Sequence, residues 1–201
     1  MLSQRRNVRF AVRTSAQRGA ALLEVMVAIL ITSFGLLALA GLQTKMSAAT
    51  MEAFQRAQAL TLLEDMTQRV QANQNQHASY IAASLGTGDA QPADCTTVGA
   101  PTRANIDRCE WSNALKGAAE TSAAANVGAM LGARGCIEQL QAPSVAAGAC
   151  LPATYRISVA WQGLNATVAP AVSCGANLYG ADDSLRKVVS SRVIVPLLTC
   201  S

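Results

Sequence analysis

The chain has 201 residues, 51% apolar and only 4% aromatic, with 16 basic and 12 acidic residues and a formal charge of +4. Five of the basic residues, Arg5, Arg6, Arg9, Arg13 and Arg18, lie within residues 1–19, which hold no acidic residue. Beyond residue 19 the balance is 11 basic to 12 acidic, so no basic stripe is left for nucleic acid and no nucleic-acid partner is expected.

Arg18 and Gly19 lead into an apolar run, Ala20 to Leu42, in which Glu24 is the only charged residue. As a helix these 23 residues would extend roughly 35 Å, enough to cross a hydrocarbon core of about 30 Å. A carboxylate there costs about 2.5–3.5 kcal/mol at mid-membrane and less near an end, so Glu24 needs a partner. A secretory signal would carry its cleavage site after the apolar core; here the small residue precedes it. Cleavage between Gly19 and Ala20 would keep the helix and create an α-amino group one turn from Glu24. The arginine-rich end is expected to stay in the cytoplasm and the C-terminal part to cross.

From residue 43 the run becomes one-sided. Met46, Ala49, Ala53, Ala57, Leu60, Leu63, Met66 and Val70 recur every three or four residues, with Gln43, Lys45, Glu52, Gln55, Arg56, Gln58 and Glu64 mainly on other faces. One continuous helix is expected from Ala20 to about Gln71, all-apolar over 20–42 and amphipathic over 43–71. The Gln/Asn cluster at 71–76 ends it. Gly35 and Gly41 each cost about 1 kcal/mol against alanine; they mark a bend, a melting point or a close helix contact.

Residues 72–153 read as irregular, and 118–133 borders on low complexity. One short helix is expected at about 108–116, with Asp107 as N-cap, Glu110 completing a capping box, and Trp111 and Leu115 sharing a buried face. Residues 154–201 carry the strand signals. Tyr155, Ile157, Val159 and Trp161 alternate with Arg156, Ser158, Ala160 and Gln162. A second strand is expected at about 164–169 and a third over Lys187–Leu197, with Val189, Val193 and Val195 on one face. The expected fold class is α+β: an antiparallel meander covered by the amphipathic half of the long helix. The sequon Asn165-Ala166-Thr167 then falls in a strand and is given no role.

Cys95, Cys109, Cys136, Cys150, Cys174 and Cys200 all follow the apolar helix, on the translocated side, where an even number reads as disulfides. Fifteen connectivities are open; sequential pairing, Cys95–Cys109, Cys136–Cys150 and Cys174–Cys200, is the working expectation. With His77 the only histidine and no CxxC pair, no metal site is expected. There is no GxSxG motif and no paired-carboxylate spacing, so no catalytic residue, no cofactor and no enzyme activity are expected.

Gly19-Ala20, the retained apolar helix and Glu24 together resemble the class III signal of type IV prepilins and pseudopilins. That resemblance implies a pilin fold, removal of residues 1–19 by prepilin peptidase, N-methylation of Ala20, and Glu24 as the charge partner of the new amine, on its own or a neighbouring chain. It implies a tie between the C-terminal loop and the sheet, favouring Cys174–Cys200. Gly-Ala-Ala-Leu-Leu-Glu-Val-Met-Val-Ala at 19–28, Glu110-Trp111 with Leu115, and Tyr-Arg-Ile-Ser-Val-Ala-Trp at 155–161 resemble the PilV type of minor pilin; Ala20 departs from the phenylalanine of many major pilins. The implied partners are the prepilin peptidase, other minor pilins, the major pilin, the inner-membrane assembly machinery, and the inner membrane itself through Ala20–Leu42. The implied roles are pilus assembly and priming, twitching motility and adhesion, first as a single-pass inner-membrane protein with a periplasmic domain and then in the extracellular pilus. A type II secretion pseudopilin, a DNA-uptake minor pilin and an ordinary signal anchor with a stray glutamate are the alternatives.

Overall fold

The computed structural model describes residues 20–118, 121–122, 125–126, 128, 130–146 and 149–197. The expected leader 1–19 with Gly19, and Cys200, lie outside these residues. The chain divides after Ser47 into two units, and the long helix α1, Ala20–Ala72, contributes to both.

In the first unit, α1 is helical at every position through Gly35 and Gly41. A Cβ on either glycine would meet nothing within 4 Å, so neither makes a close helix contact within this chain, and neither interrupts the helix.

In the second unit, α1 ends as expected in the Gln/Asn cluster, where a 3-10 turn, Gln74–Tyr80, takes over. The elements that follow are β1 (Ala82–Gly86), a 3-10 turn (Cys95–Thr97), α2 (Arg103–Leu115), β2 (Thr121–Ser122), β3 (Ala125–Asn126), β4 (Leu131–Gln141), β5 (Ser144–Ala146), β6 (Ala149–Leu151), β7 (Ala153–Gln162) and β8 (Arg186–Val195). A four-stranded antiparallel sheet runs β1-β4-β7-β8, with two small hairpins, β2-β3 and β5-β6, beside it. Ala59, Leu63, Met66 and Val70 of α1 pack with Trp111 and Leu115 of α2 against Ile137, Tyr155, Ile157, Val159, Val193 and Val195 of the sheet.

The sheet keeps the antiparallel meander order expected, but not the expected strands. Two of the four strands, β1 and β4, come from the stretch read as irregular, because alanine and glycine hide the alternation of β1 and of the first half of β4. Gly135 of β4 is where the large ring of Trp111 sits. A Cβ there would lie 2.2 Å from Trp111 Cη2 and Cζ3, so the strand must be bare at that point. The expected strand at 164–169 is absent. Its amides are held otherwise: Leu164 and Asn165 donate to Glu52 Oε1 at 3.2 and 2.8 Å, and Thr167 donates to the Ser184 carbonyl. Residues 163–185 therefore form one long connection, and the Asn165 sequon lies in an exposed loop.

That connection covers the face of the sheet turned away from α1. Ala160, Cys136, Cys174 and Tyr179 form a second small core there, so the second half of β7 is buried on both faces. Arg186, 4% exposed, holds the connection together. Its guanidinium donates to Asp183 Oδ2 and to the carbonyls of Pro170, Val172 and Cys174.

The expected helix at 108–116 starts five residues earlier. Thr102, not Asp107, is its N-cap, accepting from the Asn105 amide. It closes with a Schellman turn: Gly117, at φ +80°, is followed by an Ala118 amide that donates to the Asn113 carbonyl. Trp111 and Leu115 share the buried face as expected.

Cys95 bonds Cys109, as expected. The other two expected pairs are overturned, because Cys136 bonds Cys174. The sheet places β4 beside β7, and the 163–185 connection folds back across both, so the cysteine nearest in space is 38 residues away rather than 14. Cys150 is also disulfide-bonded.

Candidate assembly surface

Between Leu22 and Leu42, thirteen large apolar side chains are 44–70% exposed. An 18-residue window of the helix has a mean hydropathy of 2.5 and none of that window is buried. Removing this surface from water is worth on the order of 20 kcal/mol at 1.5–3 kcal/mol per fully buried side chain. Lipid or other apolar helices must cover it.

The polar groups of the stretch are few. Thr32 donates its hydroxyl to the Ala28 and Ile29 carbonyls, and Ser33 donates to Ile29. Both hydroxyls are thus satisfied one turn back along the helix and add no demand for an outside partner. Glu24 differs. It is exposed, and among the described residues no hydrogen bond or ion pair reaches it. Ala20, the first described residue, stands one helical turn before it.

The amphipathic half presents a different face from the one expected. The buried stripe is Gln55, Ala59, Leu63, Met66, Thr67 and Val70. Ala53 and Ala57 are exposed, and so is Leu60, at 47%. The expected stripe is therefore right from Leu63 onward and wrong before it. Phe54 and Met51, 54% and 48% exposed, add to the uncovered apolar surface of this half.

An ionic cluster pins the end of α1 to α2. Asp107, with 2% of its side chain exposed, sits 3.0 Å from Arg69 Nη1 and 2.9 Å from Arg103 Nη2. It also accepts from the Tyr80 hydroxyl. Arg69 bridges further to Asp65 and Glu110. Burial by itself would lower the Arg69 pKa, but hydrogen bonds to Glu110, Asp65 and Asp107 outweigh it and raise the value. Burial, reinforced by the bond to Asp107, pushes Tyr80 up to about 12. A second carboxylate, Asp89, fixes the turn after β1. It accepts from the Gly86 and Gln91 amides and from Ser112, and pairs with Lys116. Burial opposes its ionisation, yet Lys116 and these donors hold its pKa below the usual 3.8.

Sequence reasoning missed Glu52, Asp107 and Arg186 in these roles. Each contacts residues far along the chain or in a loop, so no local spacing signals it. His77 is placed beside Tyr155, its Nδ1 against the phenol oxygen, and belongs to packing. Among the described residues no group of three or more His, Cys, Asp or Glu could hold a metal ion.

Over residues 41–110 the chain matches the family model Tt1218-like, described as type IV pilin Tt1218. The matched stretch takes in the amphipathic half of α1, β1 and most of α2, which are the elements the ionic cluster and the core join. No curated protein and no solved structure matches the chain. The family match supports a type IV pilin. The architecture, a long apolar N-terminal helix whose second half packs on an antiparallel sheet braced by disulfides, is α+β and pilin-like.

Proposed function

We propose that this chain is a minor pilin of the PilV type, a structural subunit that primes or joins a type IV pilus. Prepilin peptidase cuts after Gly19, and Ala20 becomes the methylated N-terminus. Residues 20–42 hold the subunit in the inner membrane, with the domain beyond in the periplasm. The observation that carries this reading is one carboxylate, Glu24, without a partner among the described residues, in a stretch, residues 22–42, whose large apolar side chains are all exposed. A new amine at Ala20 lies one turn away, on this chain or on a neighbour. At an effective dielectric near 20 such a pair attracts by up to about 4 kcal/mol before desolvation. That is enough to set register as an incoming helix exchanges lipid for other helices, without making docking irreversible.

The test is Glu24→Leu, followed by intact mass spectrometry of sheared pili and of the membrane fraction. The variant should be cleaved at Ala20, methylated and retained in the membrane, yet absent from pili. Incorporation at the wild-type level would refute the pairing role. A chain still carrying residues 1–19 in cells with active peptidase would refute the prepilin reading. Deletion that abolishes protein secretion and leaves pili intact would reassign the protein to a secretion piston.

A further inference from the structure

Within the second unit, α1 and the sheet are filled unevenly. Toward the end of the helix Leu63, Met66 and Val70 pack the interface. At Ala49 and Ala53 the helix offers only methyl groups, and a cleft of about 490 Å³ stays open against Trp161, Val188, Val189 and Pro170. Concave sites for small molecules run from about 300 to 1,000 Å³, and this one is apolar on its walls.

Its polar rim is cationic. Arg186 commits four of its five N–H groups to Asp183 and three carbonyls. Glu52, the one carboxylate in the lining, already accepts two loop amides through Oε1. Lys187 Nζ donates to Thr167 Oγ1 at 2.9 Å, a neutral oxygen. Arg56 makes no hydrogen bond or ion pair among the described residues. Two cations thus border the cleft with neither in an ion pair there.

We propose that this cleft binds a single-chain amphiphilic anion. The alkyl body lies against Trp161, Val189 and Pro170 in the space left by Ala49 and Ala53, and a carboxylate or phosphate head sits at Arg56 and Lys187. A fatty acid and a lysophospholipid share this chemistry. The inference does not depend on the pilin reading, since neither Glu24 nor the Gly19-Ala20 junction enters it.

The experiment titrates octanoate and octyl phosphate onto the full chain in nanodiscs of zwitterionic lipid, followed by tryptophan fluorescence. Octyl glucoside supplies the body without the charge, and inorganic phosphate the charge without the body. One or both anions should give a saturable response, and the stronger identifies the head. Both controls should act at least about tenfold more weakly, the value of one hydrogen-bonded charge. Ala53→Leu, which fills the cleft from an exposed helix position, should abolish the response with the melting temperature unchanged. Arg56→Gln combined with Lys187→Gln should weaken it about tenfold, and carries the test if Ala53→Leu perturbs folding. An equal response to octyl glucoside, or one unchanged in the charge variant, overturns the proposal, as does no saturable response to either anion.

Discussion

Replacing Asp107 by asparagine separates two roles for this residue. As an N-cap, asparagine serves as well as aspartate, and the change would be nearly neutral. In the buried cluster it removes the charge that Arg69, Arg103 and Tyr80 converge on. The Arg69 and Tyr80 bonds to this carboxylate are each worth about 1.5–3 kcal/mol, against about 1 kcal/mol when the acceptor is a neutral amide. Arg103 is 64% exposed, so its pair adds only about 0–1 kcal/mol. Arg69 keeps Asp65 and Glu110, which limits the loss. The expected cost is about 3 kcal/mol, or a melting temperature roughly 6–12 °C lower for a chain of this size. Thr102→Ala, which deletes the observed cap, should cost only about 1 kcal/mol. Both are read from thermal melts followed by circular dichroism, with the full chain in neutral detergent. An Asp107→Asn shift smaller than that of Thr102→Ala would refute the cluster as the role of Asp107.

Three further outcomes are expected. Replacing Cys136 and Cys174 together by alanine should cost about 4 kcal/mol and replacing Cys95 and Cys109 about 3 kcal/mol, from loops of 38 and 14 residues; non-reducing peptide maps should join Cys136 to Cys174. Gly135→Ala should destabilise by about 2–3 kcal/mol and red-shift tryptophan emission, since the added methyl overlaps Trp111 and comes within 2.8 Å of Leu115 Cδ1. Because the Asp89 pKa is depressed by folding, its stabilisation is complete above the unfolded value near 3.8 and is lost as pH falls through the lower folded value. Asp89→Asn should therefore lower the melting temperature at pH 7 and flatten its decline as pH falls below the unfolded value near 3.8.

Local pattern carried a defined share of this protein. The apolar run from Ala20, the lone Glu24 within it, the end of α1 at the Gln/Asn cluster, and strands β7 and β8 were all legible. In each case the residues that make the element also carry its signature, either an unbroken apolar length or a repeat of 3.6 or 2. Trp111 and Leu115 were legible as a pair for the same reason, although the cap five residues ahead of Asp107 was not.

Tertiary structure decided the rest. Periodicity says that a helix has an apolar stripe, but only the partner decides which stripe is buried. The sheet selected Gln55 and Ala59 over Ala53 and Leu60, leaving the cleft at Ala49 and Ala53. Strand β1 and the first half of β4 are rich in alanine and glycine, and the fitness of Gly135 shows only when the Trp111 ring lies on it. Disulfide partners follow strand order and the path of residues 163–185, not spacing along the chain. Asp107 carries the cap signal of any aspartate before a helix; burial between Arg69 and Arg103 made it a clamp, because charge pairing across 38 residues leaves no trace in local sequence.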